Sequence, residues 1–391
     1  MMVSGQGSRN QYNEQLSTEE THRLLETLFN LELPSLPHGD TLAHLWKQLK
    51  PADIEKLKWV MLHCLLRRRY LKRFRDSRGR YLLALDGTEL YRWSKPHCEQ
   101  CLRAASGPDK SMQYFHRVLE LKLISSDGLC LSLVTEFIEN ESPDVEKQDC
   151  ELKAAKRLLK RFKQHFPRMK VLLLADGLYP NGPLFAVCEA NQWNYLFVLP
   201  DGCLPSVWQE FETLIHMPLN ALGVKDKDSV TRKGERVYRW VNQISYQGDG
   251  FDGLLNVFDV LSKKDQKLQR TRAFVTNLKL TERNLERIEQ LGQQRWKIEN
   301  QGFDAQKNHG YALEHTWSHH PNALKVVYHF IQIAHLINQF LIRCDFLKLG
   351  LSVMTLKAFF KLYLFAFTQT WTIELQGLFD DALRRQPQVR Y

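Results

Sequence analysis

Two short apolar runs that each end in Asp-Gly constrain the fold of this chain more than any other feature. Residues 81–88 read YLLALDGT and residues 170–179 read KVLLLADGLY, so Asp86 and Asp176 each follow a stretch of apolar residues. Short apolar runs bounded by turn residues are typical of strands buried on both faces of a sheet. The pattern therefore predicts two core strands, each with an aspartate at its carboxyl end.

Strand and helix patterns alternate around these two runs. The predicted elements are strands over 114–125 and 129–139 with a hairpin signal at 126–128, a helix over 147–166, a helix around 183–191 and a strand over 193–200. Hairpins followed by helix-strand units are typical of a mixed sheet flanked by helices. We therefore predict an α/β fold of the mixed α+β kind.

The composition and the spacing of the hydrophobic residues divide the chain into five parts. These are a helical N-terminal domain (1–75), the first part of the sheet core (76–202), a β-rich insertion (203–280), a long charged helix that completes the core (281–320) and an apolar helical region (321–391). Within them, residues 1–17 are expected to be loose, and residues 281–310 to form one continuous helix.

The composition narrows the class of protein. Lys plus Arg number 54 against 44 acidic residues, a formal net charge of +10 over 391 residues. This excess favours a polyanionic partner such as DNA, although a soluble protein with a basic surface has the same balance. Hydrophobic residues make up 43%, which excludes wholesale disorder.

Cysteine usage and apolar stretches bear on the compartment. Eight cysteines are scattered along the chain and the first residues are polar, which favours a reducing, cytosolic setting. The apolar stretches 324–343 and 351–373 contain basic residues and are predicted to be buried amphipathic helices, with no membrane partner.

Three acidic residues are candidates for a metal site. Asp86 and Asp176 on neighbouring strands would repel each other unless a cation lay between them, and Mg²⁺ or Mn²⁺ suits carboxylate ligands. The alternative is that each Asp-Gly only ends a strand in a turn. Glu299 is the third candidate, four residues after Arg295 in QRWKIEN. The two could form an exposed ion pair, but the neighbouring Trp296 and Ile298 predict that this turn packs on the core.

These residues resemble a known family. Asp86 in LALDGT, Asp176 in LLLADGLY and Glu299 in QRWKIENQGFDAQK are similar to the DDE triad of bacterial insertion-sequence transposases with a ribonuclease H-like catalytic domain. The similarity is to the branch with a β-strand insertion between the second aspartate and the glutamate. The intervals of 90 and 123 residues fit that branch. Further stretches that resemble the family include HCEQCL, KQDCE and GYALEHTW, and the resemblance runs from about residue 36 to about residue 345.

The resemblance implies a DNA transposase that cleaves transposon ends and joins the 3′-OH to target DNA by two-metal phosphoryl transfer. Asp86, Asp176 and Glu299 would be the catalytic residues and the ligands of two Mg²⁺ or Mn²⁺ ions. The implied partners are double-stranded DNA at the transposon ends and the target, and a second copy of the chain as a homodimer on DNA. The implied location is the cytoplasm, with the nucleoid. Two alternatives stay open: a catalytically inactive, transposase-derived DNA-binding protein, and a metal-dependent nuclease without strand transfer.

The same branch has a tyrosine-arginine-glutamate-lysine signature on the glutamate helix. Arg295 and Glu299 match it, whereas the tyrosine position falls on Gly292. The lysine position falls on Gln306, and Lys307 stands one residue beyond it. The resemblance implies that Arg295 and Lys307 contact DNA.

A basic run before the first apolar strand is a second candidate for DNA contact. It could lay DNA across the active site through phosphate contacts, or it could be a solvated helix end whose cations suit the helix dipole. The candidates in this run are Arg67, Arg68, Arg69, Lys72 and Arg73.

Cys98 and Cys101 form a CxxC pair preceded by His97. Such a pair can be half of a zinc site, and Cys150, His116 or His97 are the candidates for the other ligands. A lone CxxC is a weak signal and the chain has no second one. On the sequence alone, we therefore expect that this pair does not bind zinc.

Overall fold

The protein is described here by a computed structural model that covers residues 1–106, 110–216, 230–233, 236–264, 267–343 and 354–368. Within these residues the strands form one ten-stranded sheet. They are β1 (Tyr81–Trp93), β2 (Leu102–Ser106), β3 (Ser111–Ile124), β4 (Cys130–Ile138), β5 (Val171–Ala175), β6 (Asn194–Val198), β7 (Val230–Lys233), β8 (Arg236–Gly248), β9 (Phe251–Lys264) and β10 (Lys267–Thr276).

The helices over the same described residues are α1 (Arg9–Gln15), α2 (Glu19–Phe29), α3 (Gly39–Gln48), α4 (Pro51–Arg67), α5 (Glu151–His165), α6 (Gly182–Ala190), α7 (Pro205–His216), α8 (Leu285–Gln293), α9 (Ala305–Asn308), α10 (Pro321–Arg343) and α11 (Leu356–Thr368). Short 3₁₀ turns occur at Tyr70–Phe74 and Gln294–Trp296, and a π-helix at Ile298–Asp304. None of these helices combines the length and apolar character that a membrane span requires.

The central five strands have the order β4-β3-β1-β5-β6. β3 pairs antiparallel with both β1 and β4, while β1, β5 and β6 run parallel. The parallel connections pass through α5 and α6, because parallel neighbours need a crossover. This architecture confirms the predicted ribonuclease H-like, mixed α/β fold.

The β-rich segment after α7 continues the same sheet. β10 pairs antiparallel with β6, and β9, β8 and β7 follow outward as an antiparallel meander. The β-rich character predicted for this region is therefore confirmed, and backbone hydrogen bonds join its strands directly to the central strands.

The two faces of the sheet have separate cores. On β1, Leu83 and Leu85 face one way, into the core built with the apolar stripe of α5, whereas Leu82 and Ala84 face the other way. Because side chains alternate along a strand, Asp86 lies on the same face as Leu82 and Ala84. The same alternation puts Asp176 on the face of Leu172 and Leu174. Both aspartates thus point toward the face covered by α8 and the π-helix.

The N-terminal helices pack on this sheet and on the C-terminal helices. Trp59 of α4 is buried in the sheet core, and Trp46 of α3 stacks edge-on against Trp317 with ring centroids 6.1 Å apart. The boundary predicted at residue 75 stays a prediction, since this region shares its core with α10.

Two local expectations are wrong. Residues 1–17 are not loose: Ser8 caps α1 by accepting a hydrogen bond from the Gln11 amide, and Tyr12 and Leu16 are buried at helical spacing. The predicted helix over 281–310 is interrupted by the 3₁₀ turn and the π-helix. In the predicted apolar tail, α10 and α11 are helical, and the remainder lies outside the described residues.

Candidate active site

Asp86 and Asp176 lie side by side at the ends of two parallel strands. Leu85 of β1 is aligned with Ala175 of β5, so the two aspartates occupy the next position on each chain. Neighbouring strands are about 4.8 Å apart, and the two carboxylates face the same side. Each one also accepts a local backbone hydrogen bond, Asp86 from the Gly87 amide at 2.8 Å and Asp176 from the Leu178 amide at 2.9 Å.

Glu299 reaches the same place from the π-helix above the sheet. The Nη1 atom of Arg295 donates to Glu299 Oε1 at 2.6 Å and lies 3.4 Å from Asp86 Oδ2. Arg295 is buried, while the Glu299 side chain is 48% exposed. One guanidinium therefore ties the glutamate to the first aspartate.

The electrostatics of Asp86 show that all three acids lie close together. The pKa of Asp86 is raised to about 7: burial is the largest cause, Arg295 opposes it, and the neighbouring Asp176 and Glu299 add to the rise. A buried carboxyl that lies beside two further carboxylates is a typical ligand for a divalent cation. The structure thus brings the three acids predicted from the sequence close together.

A fourth carboxylate, Glu151, was missed by sequence reasoning. A side chain on Gly87 would place its Cβ 2.8 Å from Glu151 Oε1, so the glycine is what allows this approach. The Tyr179 hydroxyl donates to Glu151 Oε2 at 3.1 Å. Burial and then the charges of Glu151, Asp86 and Asp176 raise the pKa of Tyr179 well above its ordinary value, so the phenol stays protonated.

The stretch KQDCE contained a usable signal for this residue. Glu151 is the first residue of α5, and a carboxylate in a first helical turn suits the helix dipole. The preference of carboxylates for a helix N-terminus therefore accounts for Glu151 without any functional site. Only the packing of α5 on the sheet brings Glu151 to Gly87 of β1 and to Arg117 of β3, whose Nη1 lies 3.8 Å from Glu151 Oε1.

Packing explains why a glycine stands at the signature's tyrosine position. A Cβ on Gly292 would lie 2.6 Å from Phe274 Cε1 and 3.2 Å from Leu196 Cδ2. Helix α8 therefore lies too close to β6 and β10 for any larger side chain at this position.

The π-helix accounts for the displaced lysine. A π turn takes one residue more than an α turn, so Lys307 occupies the angular position that residue 306 would have on a regular α-helix. Gln306 instead points into the core, where Lys122 Nζ donates to its Oε1 at 3.2 Å and its Nε2 donates to Gln332 Oε1 at 2.8 Å. Lys307 lies outside, 2.7 Å from Glu314.

The expectation that both Trp296 and Ile298 pack on the core is half wrong. Ile298 is fully buried, but Trp296 is 59% exposed. The 3₁₀ turn at Gln294–Trp296 rotates the tryptophan away from the sheet, one turn before Glu299.

The basic run lies at the other end of the strands. Arg67, Arg69 and Lys72 line a cavity of about 700 Å³ together with Tyr81 and Met169. Tyr81 begins β1 five residues before Asp86, a separation of about 16 Å along a strand. DNA bound at this run would therefore reach the acids only by following the side of the sheet, rather than lying directly across them.

The two remaining members of the run lie in the same exposed region. Arg68 is exposed at the end of α4, and Arg73 forms an ion pair with Asp127 of the β3–β4 hairpin. Arg80, the residue before β1, is buried and bonded to Asp76 and Asn194, so it supports the start of that strand.

Cys98 and Cys101 lie in the loop between β1 and β2, away from the three acids. The side chains of His97 and His116 lie beside them. Cys150, the other cysteine considered as a ligand, is exposed at the start of α5 and does not join this group.

A ribonuclease H-like sheet with three acids converging at the ends of its central strands defines the class of proteins to which the sequence resemblance pointed. Residues 146–337, just under half of the chain, match the family model described as the transposase DDE domain. The match supports the resemblance to insertion-sequence DDE transposases, and the chain carries a transposase DDE domain over these residues. Asp176 and Glu299 lie inside the matched segment, and Asp86 precedes it. No curated protein sequence matches the chain.

Proposed function

We propose that this protein is a DNA transposase that cleaves transposon ends and joins the freed 3′-OH to target DNA. The transposase DDE domain supports the general function. The observation that carries the specific chemistry is the close approach of Asp86, Asp176 and Glu299 at one end of the central strands, with Arg295 bridging two of them.

The residues present fit divalent cations. Two of the three carboxylates, those of Asp86 and Glu299, contact the guanidinium of Arg295, and Asp176 adds a third acid, which leaves surplus negative charge. The raised pKa of Asp86, about 7, reflects its burial beside the other two acids. Carboxylate oxygens are the ligands that Mg²⁺ and Mn²⁺ prefer. We propose that Asp86, Asp176 and Glu299 hold two such ions. When bound, the ions supply an activated attacking oxygen and a stabilised leaving oxygen for in-line phosphoryl transfer.

The chain's own groups position the acids and the DNA. Arg295 holds Glu299 against the first aspartate, so the glutamate is oriented before DNA arrives. We propose that Lys307 and the exposed Trp296 contact DNA beside the acids. The basic run at Arg67–Arg73 would neutralise phosphates farther along the same duplex.

The wider arrangement is part of the same proposal. The helical region 1–75 would grip DNA, the core would cut and join it, and the strands of 203–280 would extend its contact surface. A homodimer would hold two transposon ends, and the protein would act in the cytoplasm on nucleoid DNA.

The test uses a plasmid containing the genomic flanks of the gene. Purified protein is incubated with it in Mg²⁺, in Mn²⁺ or in EDTA, and nicks and joined products are mapped. Pre-cut duplexes with free 3′-OH ends test joining separately. We expect Asp86→Asn, Asp176→Asn and Glu299→Gln each to lower both activities at least about a thousandfold. Duplex binding, measured by fluorescence anisotropy, should stay close to that of the unmutated chain.

Matched controls are Glu141→Gln and Asp144→Asn, two exposed acids in the segment after β4, which should retain full activity. Cutting without joining of pre-cut ends would favour a nuclease. Binding without metal-dependent cutting would favour an inactive derivative. Unchanged activity in any of the three acid variants would refute the proposed site.

A further inference from the structure

A second group of metal-binding side chains lies away from the three acids. His97, Cys98, Cys101 and His116 each offer one ligand atom, and these atoms all lie within 4.8 Å of one another. We propose that these four residues bind a structural zinc ion. This inference is independent of the proposed transposition chemistry.

The distances between the four side chains fit a tetrahedral zinc site. Zn–S bonds of about 2.3 Å and Zn–N bonds of about 2.0 Å separate ligand atoms by about 3.5 to 3.8 Å. Cys98 Sγ lies 3.5 Å from Cys101 Sγ and 3.3 Å from His116 Nε2. Cys101 Sγ lies 3.4 Å from His97 Nδ1 and 3.8 Å from His116 Nε2. The sulfur atoms are thus spaced for a shared ion.

A second layer of residues supports the same assignment. His116 is buried, and its Nδ1 atom, on the far side of the ring from the sulfurs, has no hydrogen-bond partner. Glu139 Oε1 lies 3.8 Å from that nitrogen and is also without a partner. Zinc-bound histidines commonly donate their other N–H to a carboxylate. Lys325 of α10 binds the second oxygen of Glu139 at 2.5 Å, which fixes the carboxylate beside the ring.

The backbone holds the loop in this arrangement. Asn140 Nδ2 donates to the Cys101 carbonyl at 2.9 Å, and the Asn140 amide donates to the Gln100 carbonyl at 3.2 Å. The Trp93 ring packs on the His97 ring with centroids 3.8 Å apart. Four protein ligands, three from the loop after β1 and His116 from β3, close the coordination sphere, which is typical of structural rather than catalytic zinc.

The location indicates what the ion does. His116 of β3 is aligned with Tyr91 of β1, and Glu120 is aligned with Asp86. Four residues of strand separate the two rows, about 13 Å. The zinc would therefore fasten the loop after β1 to β3, and fix the outer end of the strand that presents Asp86.

The first experiment measures metal in the whole chain. Protein purified with reductant is given zinc, dialysed without chelator and analysed by elemental mass spectrometry, and we expect about one zinc per chain. Replacement by Co²⁺ should give the intense visible absorption of a tetrahedral ion with two thiolates. Protein that is folded by circular dichroism yet zinc-free, or a Cys98–Cys101 disulfide detected by mass spectrometry, would overturn the proposal.

Variants assign the ligands. The Cys98→Ser, Cys101→Ser double variant should lose the zinc, whereas Cys150→Ser and His319→Ala should keep it. Cys150 is an exposed cysteine, and the His319 ring lies 5.4 Å from that of His97 without belonging to the group. Asp86→Asn should also keep the zinc. Retention by the double variant, or loss on changing Asp86, would contradict the assignment.

A measurement on the unchanged chain covers the case in which the double variant fails to fold. Chelator should make Cys98 and Cys101 reactive toward an alkylating reagent, as mapped by peptide mass spectrometry. The exposed Cys64 and Cys150 serve as internal controls and should react equally with and without chelator. If Cys98 and Cys101 reacted to the same extent with and without chelator, as the two control cysteines should, the proposal would be overturned.

Discussion

Replacing Asp86 with asparagine should stabilise the metal-free protein while abolishing its activity. The carboxyl group is mostly buried, and Asp176 and Glu299 lie close to it; together with burial, these neighbours raise its pKa from 3.8 to about 7. An amide at this position needs no ionisation. The charged form of Asp86 is therefore expected to lower the free energy of unfolding of the metal-free protein.

The magnitude follows from the difference in proton binding between the folded and unfolded chains. Between pH 3.8 and about 7 the folded chain keeps the Asp86 proton and the unfolded chain loses it. Stability therefore falls as the pH rises through this window, by about 1.4 kcal/mol for each pH unit. The whole window amounts to about 4 kcal/mol, and above it the loss is complete. Asp86→Asn removes this loss.

The assay is thermal unfolding in EDTA between about pH 5 and pH 8, with Asp144→Asn as the control because Asp144 is exposed. The stability of Asp86→Asn relative to the unmutated chain should increase with pH up to about 7 and then level off. Saturating Mg²⁺ should raise the melting temperature of the unmutated chain more than that of the variant. Identical pH dependence in the two proteins would refute the reasoning.

Further outcomes are expected from three other positions. Lys58→Met should lower the free energy of unfolding, measured by urea titration, by about 3 kcal/mol. The reason is that the fully buried amino group is bonded to two hydroxyls and stands beside buried acids. The exposed control Lys56→Met should cost under about 1 kcal/mol in the same titration. Arg295→Lys should lower strand cleavage at least about tenfold without weakening duplex binding comparably, because an ammonium cannot reproduce the planar guanidinium contacts; equal losses in both assays would contradict a positioning role. Gly292→Ala should destabilise the chain by about 1 to 3 kcal/mol through overpacking on the sheet; an unchanged urea midpoint would contradict the close packing.

The parts of the fold that follow a local pattern could be predicted from the sequence. The apolar runs before Asp86 and Asp176 are the central parallel strands, and the turn at 126–128 joins a hairpin as expected. These features depend on side-chain alternation and turn chemistry, both of which are visible within a few residues.

Features that depend on distant packing could not be predicted. Glu151 meets Gly87 only because α5 packs on the sheet. His116 and Cys150 were equal candidates in the sequence, and only the pairing of β3 with β1 brings His116 to the CxxC pair. The π-helix leaves no compositional mark, since a single wider turn uses the same residue types as an α-helix. For that reason Lys307 seemed displaced in the sequence, although the helix compensates for the extra residue.

The hydrogen bonds between β6 and β10 would fix the distance along bound DNA between the outer strands and the three acids. Phe274, Val275 and Thr276 pair directly with β6, which neighbours the strand leading to Asp176. The outer strands therefore cannot pivot about a linker. Any base contacted by these strands would lie at a constant distance from the scissile phosphate. Inserting or deleting one base pair between the two should therefore remove the base from its contact without shifting the position of the cut.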